Sequence, residues 1–478
     1  MKLKKLLPIV LLSAGLSVGL ASCGDNGSNN ALNIVCIDAS YGREWIDTLV
    51  ENFKANHPGV EVNLKAEYNA REIIAKNIAS SKNTDDLYIS VDTAWKSYAA
   101  QGKFLDLTDF LKETVDGVTV EDKIADEFKE SIKFNRKGEE KVYRLPFTSG
   151  LGGIYYNKKM FNDNGWAIPT TFDELVTLCE TIQKAKLPVA GDIHGTTAVV
   201  PFTYGGTDGT DYFDYAVFNW WGQLAGIDSI KEFLKYESYE NYDTNKNATY
   251  AALKTVTESW YKLFGKNTGN YNSSNNNLSA SDAQKDFING KAAMMFNSDW
   301  LYNDSLVYTT SGSQGETFEL GYMKTPVLSN DVSAENANNT YIIGEDQYIA
   351  IPATSKHADL AKEFIKEMIS DKGCEVFLNK AHGFLAYDAD YSKININDTF
   401  IQEMISLRKG LTNKFTNFSS NPKYLTNQID IWCTGGDRPF LPLLKGTYDN
   451  EANPIDKVFQ NIASKAHSNW DYWTGLAG

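Results

Sequence analysis

The 478-residue chain has only five histidines and five cysteines, and neither type clusters. The histidines stand apart from one another and from the cysteines, and there is no CxxC. A zinc site therefore has no ligand set to draw on. GxSxG, HExxH, P-loop and GxGxxG patterns are missing from any supporting strand–helix context. The stretch "DTNKNATYAALK" (Asp243–Lys254) opens like a calcium loop. Ala248 then stands where the turn needs glycine, and Lys254 where a bidentate glutamate belongs, so it is read as a helix start. No cofactor and no metal are expected. Positive charge is also short, with 46 basic against 61 acidic side chains and a net charge of −15. That balance argues against nucleic acid and against an anionic membrane surface as partners. Past residue 20 no apolar run is long enough to cross a bilayer, and no internal repeat is visible.

What the sequence does have begins at its N-terminus. Met1–Lys5 carries three lysines, and Leu6–Leu20 is almost continuously apolar. A basic start, a short apolar stretch and small residues at its end describe a secretory signal peptide. Its last residues, Leu20-Ala21-Ser22-Cys23, resemble the lipobox of bacterial lipoproteins, in which the cysteine is lipidated and becomes the new N-terminus. Two acyl chains meet the requirement for stable anchoring. The alternative is an ordinary signal peptide cut near Ala21, with Cys23 incidental. The expected division is a leader at 1–22 and a lipidated, flexible Gly/Ser/Asn tether at 23–30. The mature chain is long enough for two or three domains.

Behind the tether the pattern alternates strand and helix. Leu32–Ile37 reads as a buried strand, and Trp45, Ile46, Leu49, Val50 and Phe53 recur at helical spacing. Pro58-Gly59 stops that helix, and Val60, Val62 and Leu64 alternate as a strand. This βαβ opening implies parallel pairing. Asp86–Val91 repeats the strand, with a helical stretch near Trp95–Gln101. Further on, Gly152–Asn157 and Ala292–Ser298 read as strands. Thr171 with Glu174, and Ser281 with Gln284, read as capping boxes. Leu360, Ala361, Phe364, Ile365, Met368 and Ile369 line one helix face. Asn267–Ala280 is low in complexity and reads as a surface loop.

Cys36, Cys179, Cys374 and Cys433 allow three disulfide connectivities in an exported chain, but the apolar setting of Cys36 and Cys179 favours buried free thiols. The aromatic residues near strand ends are more informative. Trp300 follows the Ala292–Ser298 strand, Trp95 lies just past Asp86–Val91, and Trp220 and Trp221 are adjacent. An indole face suits the flat C–H face of a sugar, and Asp, Asn or Arg suit its hydroxyl rim. Ligand sites in α/β sheets lie beyond strand ends. Trp300, Trp220 and Trp221 are therefore expected at a ligand, while Trp45, Trp166 and Trp260, in helical patterns, are expected in the core. For all of the tryptophans the competing reading is core packing.

Four segments in order carry a family resemblance: "LPFTSGLGGIYYNKKMFNDNGWAIPTTFDEL" (Leu145–Leu175), "DFINGKAAMMFNSDW" (Asp286–Trp300), "GYMKTPV" (Gly321–Val327) and "YIAIPATSKHADLAKEFIKEMISDKG" (Tyr348–Gly373). Together they resemble the extracellular solute-binding proteins of ABC transporters, in the sugar-binding group that includes maltose-binding protein. The second segment departs from the family pattern in that its tryptophan follows Ser298-Asp299 rather than a glycine. The tail beyond Gly373 matches only loosely. The resemblance implies an α/β fold of two lobes, like that of periplasmic binding proteins, with the ligand cleft between lobes and several chain crossovers. Lobe one is expected at 31–147 and 302–372, and lobe two at 148–301 and 373–478. Carried over residue by residue, the cleft-lining positions are Tyr41, Arg43, Asp92, Trp95, Trp220, Trp221, Asp299 and Trp300.

The resemblance implies a sugar-binding receptor, not an enzyme, that closes on its ligand by a hinge motion. Its expected partners are a carbohydrate ligand, ABC permease subunits and, through lipid on Cys23, the outer face of the bacterial cell membrane. The expected state is a monomer. Two other classes stay open. A secreted carbohydrate-active enzyme would need a carboxylate pair, which an acidic surface always offers and no motif singles out. A receptor for a non-sugar solute, such as a peptide or a phosphorylated polyol, is the third. A phosphate would want clustered cations, and only Arg43 is near the expected site.

Overall fold

In a computed structural model, residues 30–475 are described except 93, 191–196, 311–317, 345, 419–428 and 434–437, and the side chains at 309 and 310. The lipobox, Cys23 and the tether up to residue 29 lie outside the described residues.

The opening βαβ unit forms as its pattern dictates. Ala31–Ile37 pairs in parallel with Glu61–Glu67 on one side and with Leu87–Val91 on the other. Gln347–Ala350 closes the sheet antiparallel to Leu87–Val91. Between the first two strands, helix Glu44–Asn56 buries Trp45, Ile46, Leu49 and Phe53. Gly59 turns the chain at φ +88°, where a side chain would be strained. Helix Ala358–Ile369 buries Ala361, Phe364, Ile365, Met368 and Ile369 against this lobe.

The second lobe holds a sheet of mixed direction. Val200–Thr203 runs parallel to Ala292–Asn297, and Gly153–Asn157 lies antiparallel to Ala292–Asn297 and to Leu320–Met323. Strand Ala292–Asn297 is buried along its whole length, as a central strand covered on both faces must be. Helix Phe172–Ala185 begins with the expected capping box of Thr171 and Glu174. The second expected box does not form, and the helix is capped two residues earlier. Ser279 has the extended backbone of a cap and its Oγ accepts from Asp282 N at 3.1 Å, so Ser281 is already inside helix Ala280–Ile288. Asp243–Lys254 starts a helix, capped by Asn247. The 267–280 stretch is more than surface loop, because its buried Asn275 donates to Thr203 Oγ1 at 2.7 Å.

The chain crosses between lobes through a small sheet in which Asn339–Ile343 pairs with Gly150–Leu151 and with Asn413–Phe415. Leu320–Met323, within 302–372, belongs to the second sheet. Helix Asp371–Lys380, mostly within 373–478, packs on the first lobe's helices, and Lys123 Nζ meets Asp371 at 2.9 Å. Helix Pro454–Gly475 packs on the second lobe. Cys36, Cys179, Cys374 and Cys433 are free and buried.

Candidate functional site

A cavity of about 350 Å³ opens between the lobes. The first lobe supplies the loop after its first strand (Ala39, Ser40, Tyr41), Tyr68 and Arg71 after its second, and Val91 at the end of its third. These are the carboxyl ends of neighbouring parallel strands, where strand polarity gathers loops into a crevice. The second lobe supplies Tyr212, Tyr215 and Trp300, and the crossover supplies Ile343, Asp346 and Gln347.

The second-lobe wall is an aromatic panel. Tyr212 and Tyr215 stack at 5.2 Å, and Trp300 stands nearly perpendicular to Tyr215 at 5.7 Å. Glycines let these rings seat closely. A Cβ on Gly150 would come within 3.2 Å of the Trp300 ring, and one on Gly152 within 2.8 Å of Tyr215 Cβ. A Cβ on Gly383 would run into the Tyr41 ring. In the first lobe, Trp45 reaches the cavity floor from its helix, and its Nε1 donates to Gly42 O at 2.9 Å, fixing the 38–42 loop. Asn303 Nδ2 donates to Ser40 O at 2.7 Å, which also holds this loop. Asp304, hydrogen-bonded to Ser40 and Gln284, has its carboxyl pushed up to about 7 by burial, with both hydrogen bonds acting against that shift. Burial also raises the Tyr41 and Tyr215 phenols well above their ordinary value.

Of the eight expected lining residues, Tyr41 and Trp300 reach this cavity. Trp220 and Trp221 do not, which corrects their placement at a ligand. Helix Tyr212–Ala225 is buried on almost every side, so neighbours about 100° apart both meet core. Trp220 Nε1 donates to Pro326 O at 2.9 Å, and Trp221 Nε1 to Thr249 O at 2.8 Å. Trp95 is likewise core: it is fully buried, with the Arg144 guanidinium 4.4 Å from its ring centre. Asp92 turns inward on its own loop, where Oδ1 accepts from Ala94 N at 2.8 Å and its N–H donates to Asp346 O at 2.7 Å. Arg43 is exposed and paired with Asp47 at 2.8 Å. Asp299 is buried against Arg408 at 2.7 Å, and burial raises its pKa while Arg408 opposes the rise. Trp45 is buried in the first lobe's core as expected, and it also borders the cavity. Tyr68, Arg71, Tyr212, Tyr215, Asp346 and Gln347 were not anticipated. The strand-end rule, applied after Glu61–Glu67, reaches Tyr68 and Arg71. Tyr212 and Tyr215 share one helix face at i,i+3, at the opposite end of that helix from the tryptophan pair.

Two lobes joined by several crossovers, with a cavity lined from both, are the architecture of a solute receptor. The chain belongs to the bacterial extracellular solute-binding protein family, whose sequence model matches residues 39–373. It is 22% identical over 387 residues to the multiple sugar-binding protein of Streptococcus mutans, covering 80% of each chain. The fold is similar to that of a chitin oligosaccharide binding protein, with TM-score 0.64 and 19% identity over 91% of this chain and 99% of the other. It is also similar to that of the solute-binding protein RafE in complex with raffinose, with TM-score 0.59 and 17% identity over 91% and 99%.

Proposed function

We propose that this chain is the substrate-binding component of an ABC importer, that it binds a sugar or oligosaccharide between its lobes, and that it delivers the ligand to the permease unchanged. One observation carries the reading: the panel of Tyr212, Tyr215 and Trp300 faces first-lobe polar and aromatic groups across one cavity. Aromatic faces suit sugar C–H surfaces, and Arg71, Asp346, Gln347 and Ser40 supply hydroxyl partners on the other wall. A ligand touching both lobes favours the closed state by its differential affinity for it. The names of the relatives support the sugar class. We assign lipidation to Cys23, with the mature receptor held at the outer face of the membrane. The chain is taken to act as a monomer, with no catalytic step of its own. The lobe division follows the two large sheets, with helix 371–380 in lobe one and the 320–323 strand in lobe two.

The test is a thermal-shift and calorimetric screen of the mature chain against mono- and oligosaccharides, with raffinose and chitin oligosaccharides included. Ligand bound only to the folded state raises its melting temperature. The reading expects reversible binding of at least one sugar and its recovery intact after prolonged incubation. Sugar breakdown that stops on replacing one carboxylate would instead make the protein an enzyme.

A further inference from the structure

Arg408 ends a helix, Thr399–Lys409, in the region beyond the family match, yet it reaches into the structure beneath the cleft. Its Nη2 meets Asp299 Oδ2 at 2.7 Å and also donates to Ser149 O, while Nη1 donates to Ser149 Oγ at 3.2 Å. Its Cζ lies 4.1 Å from the centre of the Phe384 ring. Asp299 also accepts from Ser298 Oγ at 3.1 Å. One guanidinium thus gathers the strand end that carries Trp300, the crossover at Ser149 and the ring of Phe384. Gly150 then packs under Trp300 with no room for a Cβ.

A buried ion pair is weak evidence for stability, because neutral replacement of both partners is often harmless, while loss of one partner strands a charge. The geometry here points to another role. The planar fork directs separate N–H groups at Asp299 and at Ser149, which an ammonium does not reproduce. We propose that Arg408 is a positioning residue: it fastens the Trp300 strand end to the Ser149–Gly152 crossover and so holds the aromatic wall of the cleft and the crossover in one arrangement. The consequence for ligand binding rests on the cleft reading above; the fastening itself does not.

The experiment is amide hydrogen exchange on the mature chain, followed by mass spectrometry, with melting temperature and calorimetric titration of raffinose and chitin oligosaccharides alongside. R408Q lowers the melting temperature sharply, and D299N/R408Q recovers most of that loss. In the double variant, exchange in 297–303 and 149–152 stays at least tenfold faster than in wild type, while strand 31–37 is unchanged. Affinity for the sugar that wild type binds falls at least tenfold. R408K keeps the charge without the fork and shows the same local loosening, and it decides the question if the neutral pair fails to fold. Wild-type exchange at both segments in D299N/R408Q or R408K would overturn the positioning role. Local loosening in a protein whose wild type binds neither sugar would support the fastening and count against the sugar reading.

Discussion

Helix Tyr212–Ala225 presents the same kind of side chain in two settings. Its first turn puts Tyr212 and Tyr215 on the cavity, while Trp220 and Trp221 near its other end are core, each donating its indole N–H to a backbone carbonyl. Trp300, the other tryptophan expected at the ligand, lines the cavity beside the two tyrosines. Aromatic character alone therefore does not make a site. Trp300 follows the end of strand Ala292–Asn297, and the tyrosines sit where their helix meets that same edge. The tryptophan pair lies on a helix with core on nearly every side.

The largest expected effect separates the two settings by stability. Trp220→Ala opens a core cavity and should cost about 3–5 kcal/mol, measured by denaturant unfolding, while the folded fraction keeps its ligand affinity. A variant that unfolds like wild type but no longer binds would return Trp220 to the site. Next is Trp300→Ala, expected to weaken sugar binding by about 2 kcal/mol, or roughly thirtyfold. Gly150→Ala is a small intrusion against Trp300 and Ser298 and should cost about 1–3 kcal/mol of stability, with affinity falling alongside because the ring is displaced. Tyr68, 80% exposed at the rim, makes the cleanest contrast to Trp220. Tyr68→Ala should leave stability within about 0.5 kcal/mol and lower affinity in titration.

A separate expected effect is one of pH. Asp304 has a carboxyl raised from 3.8 to about 7. The folded state therefore holds this proton more tightly than the unfolded chain. Its contribution favours folding below the unfolded value and is lost as pH rises from about 4 to about 7. Asp304→Asn, which keeps a neutral hydrogen-bonding group between Ser40 and Gln284, should flatten that part of the stability curve. An unchanged slope between those pH values would remove Asp304 as its source.

Local pattern revealed local structure well. The βαβ opening, the Thr171–Glu174 box and the buried face of helix 358–369 all follow from spacing and caps. The cap at Ser279 was missed because Ser281 offers the same chemistry two residues later, and backbone conformation chooses between them. The site was legible at Trp300, which a strand end announces, and at Tyr41 only through the family resemblance. Trp95 and Asp299 also follow strands, but each turns inward to a cation, Arg144 or Arg408, distant in sequence. No local pattern encodes such partners. Trp45 shows the converse: its helical spacing correctly marks it as buried, and burial does not prevent it from flooring a cavity.

The most direct test is calorimetric titration of a sugar found in the screen into the mature wild type and into Trp300→Ala, with melting temperatures measured on the same samples. Wild type is expected to bind reversibly at one site, with a loss of about thirtyfold in the variant. Wild-type affinity in Trp300→Ala, with only its melting temperature lowered, would contradict this expectation.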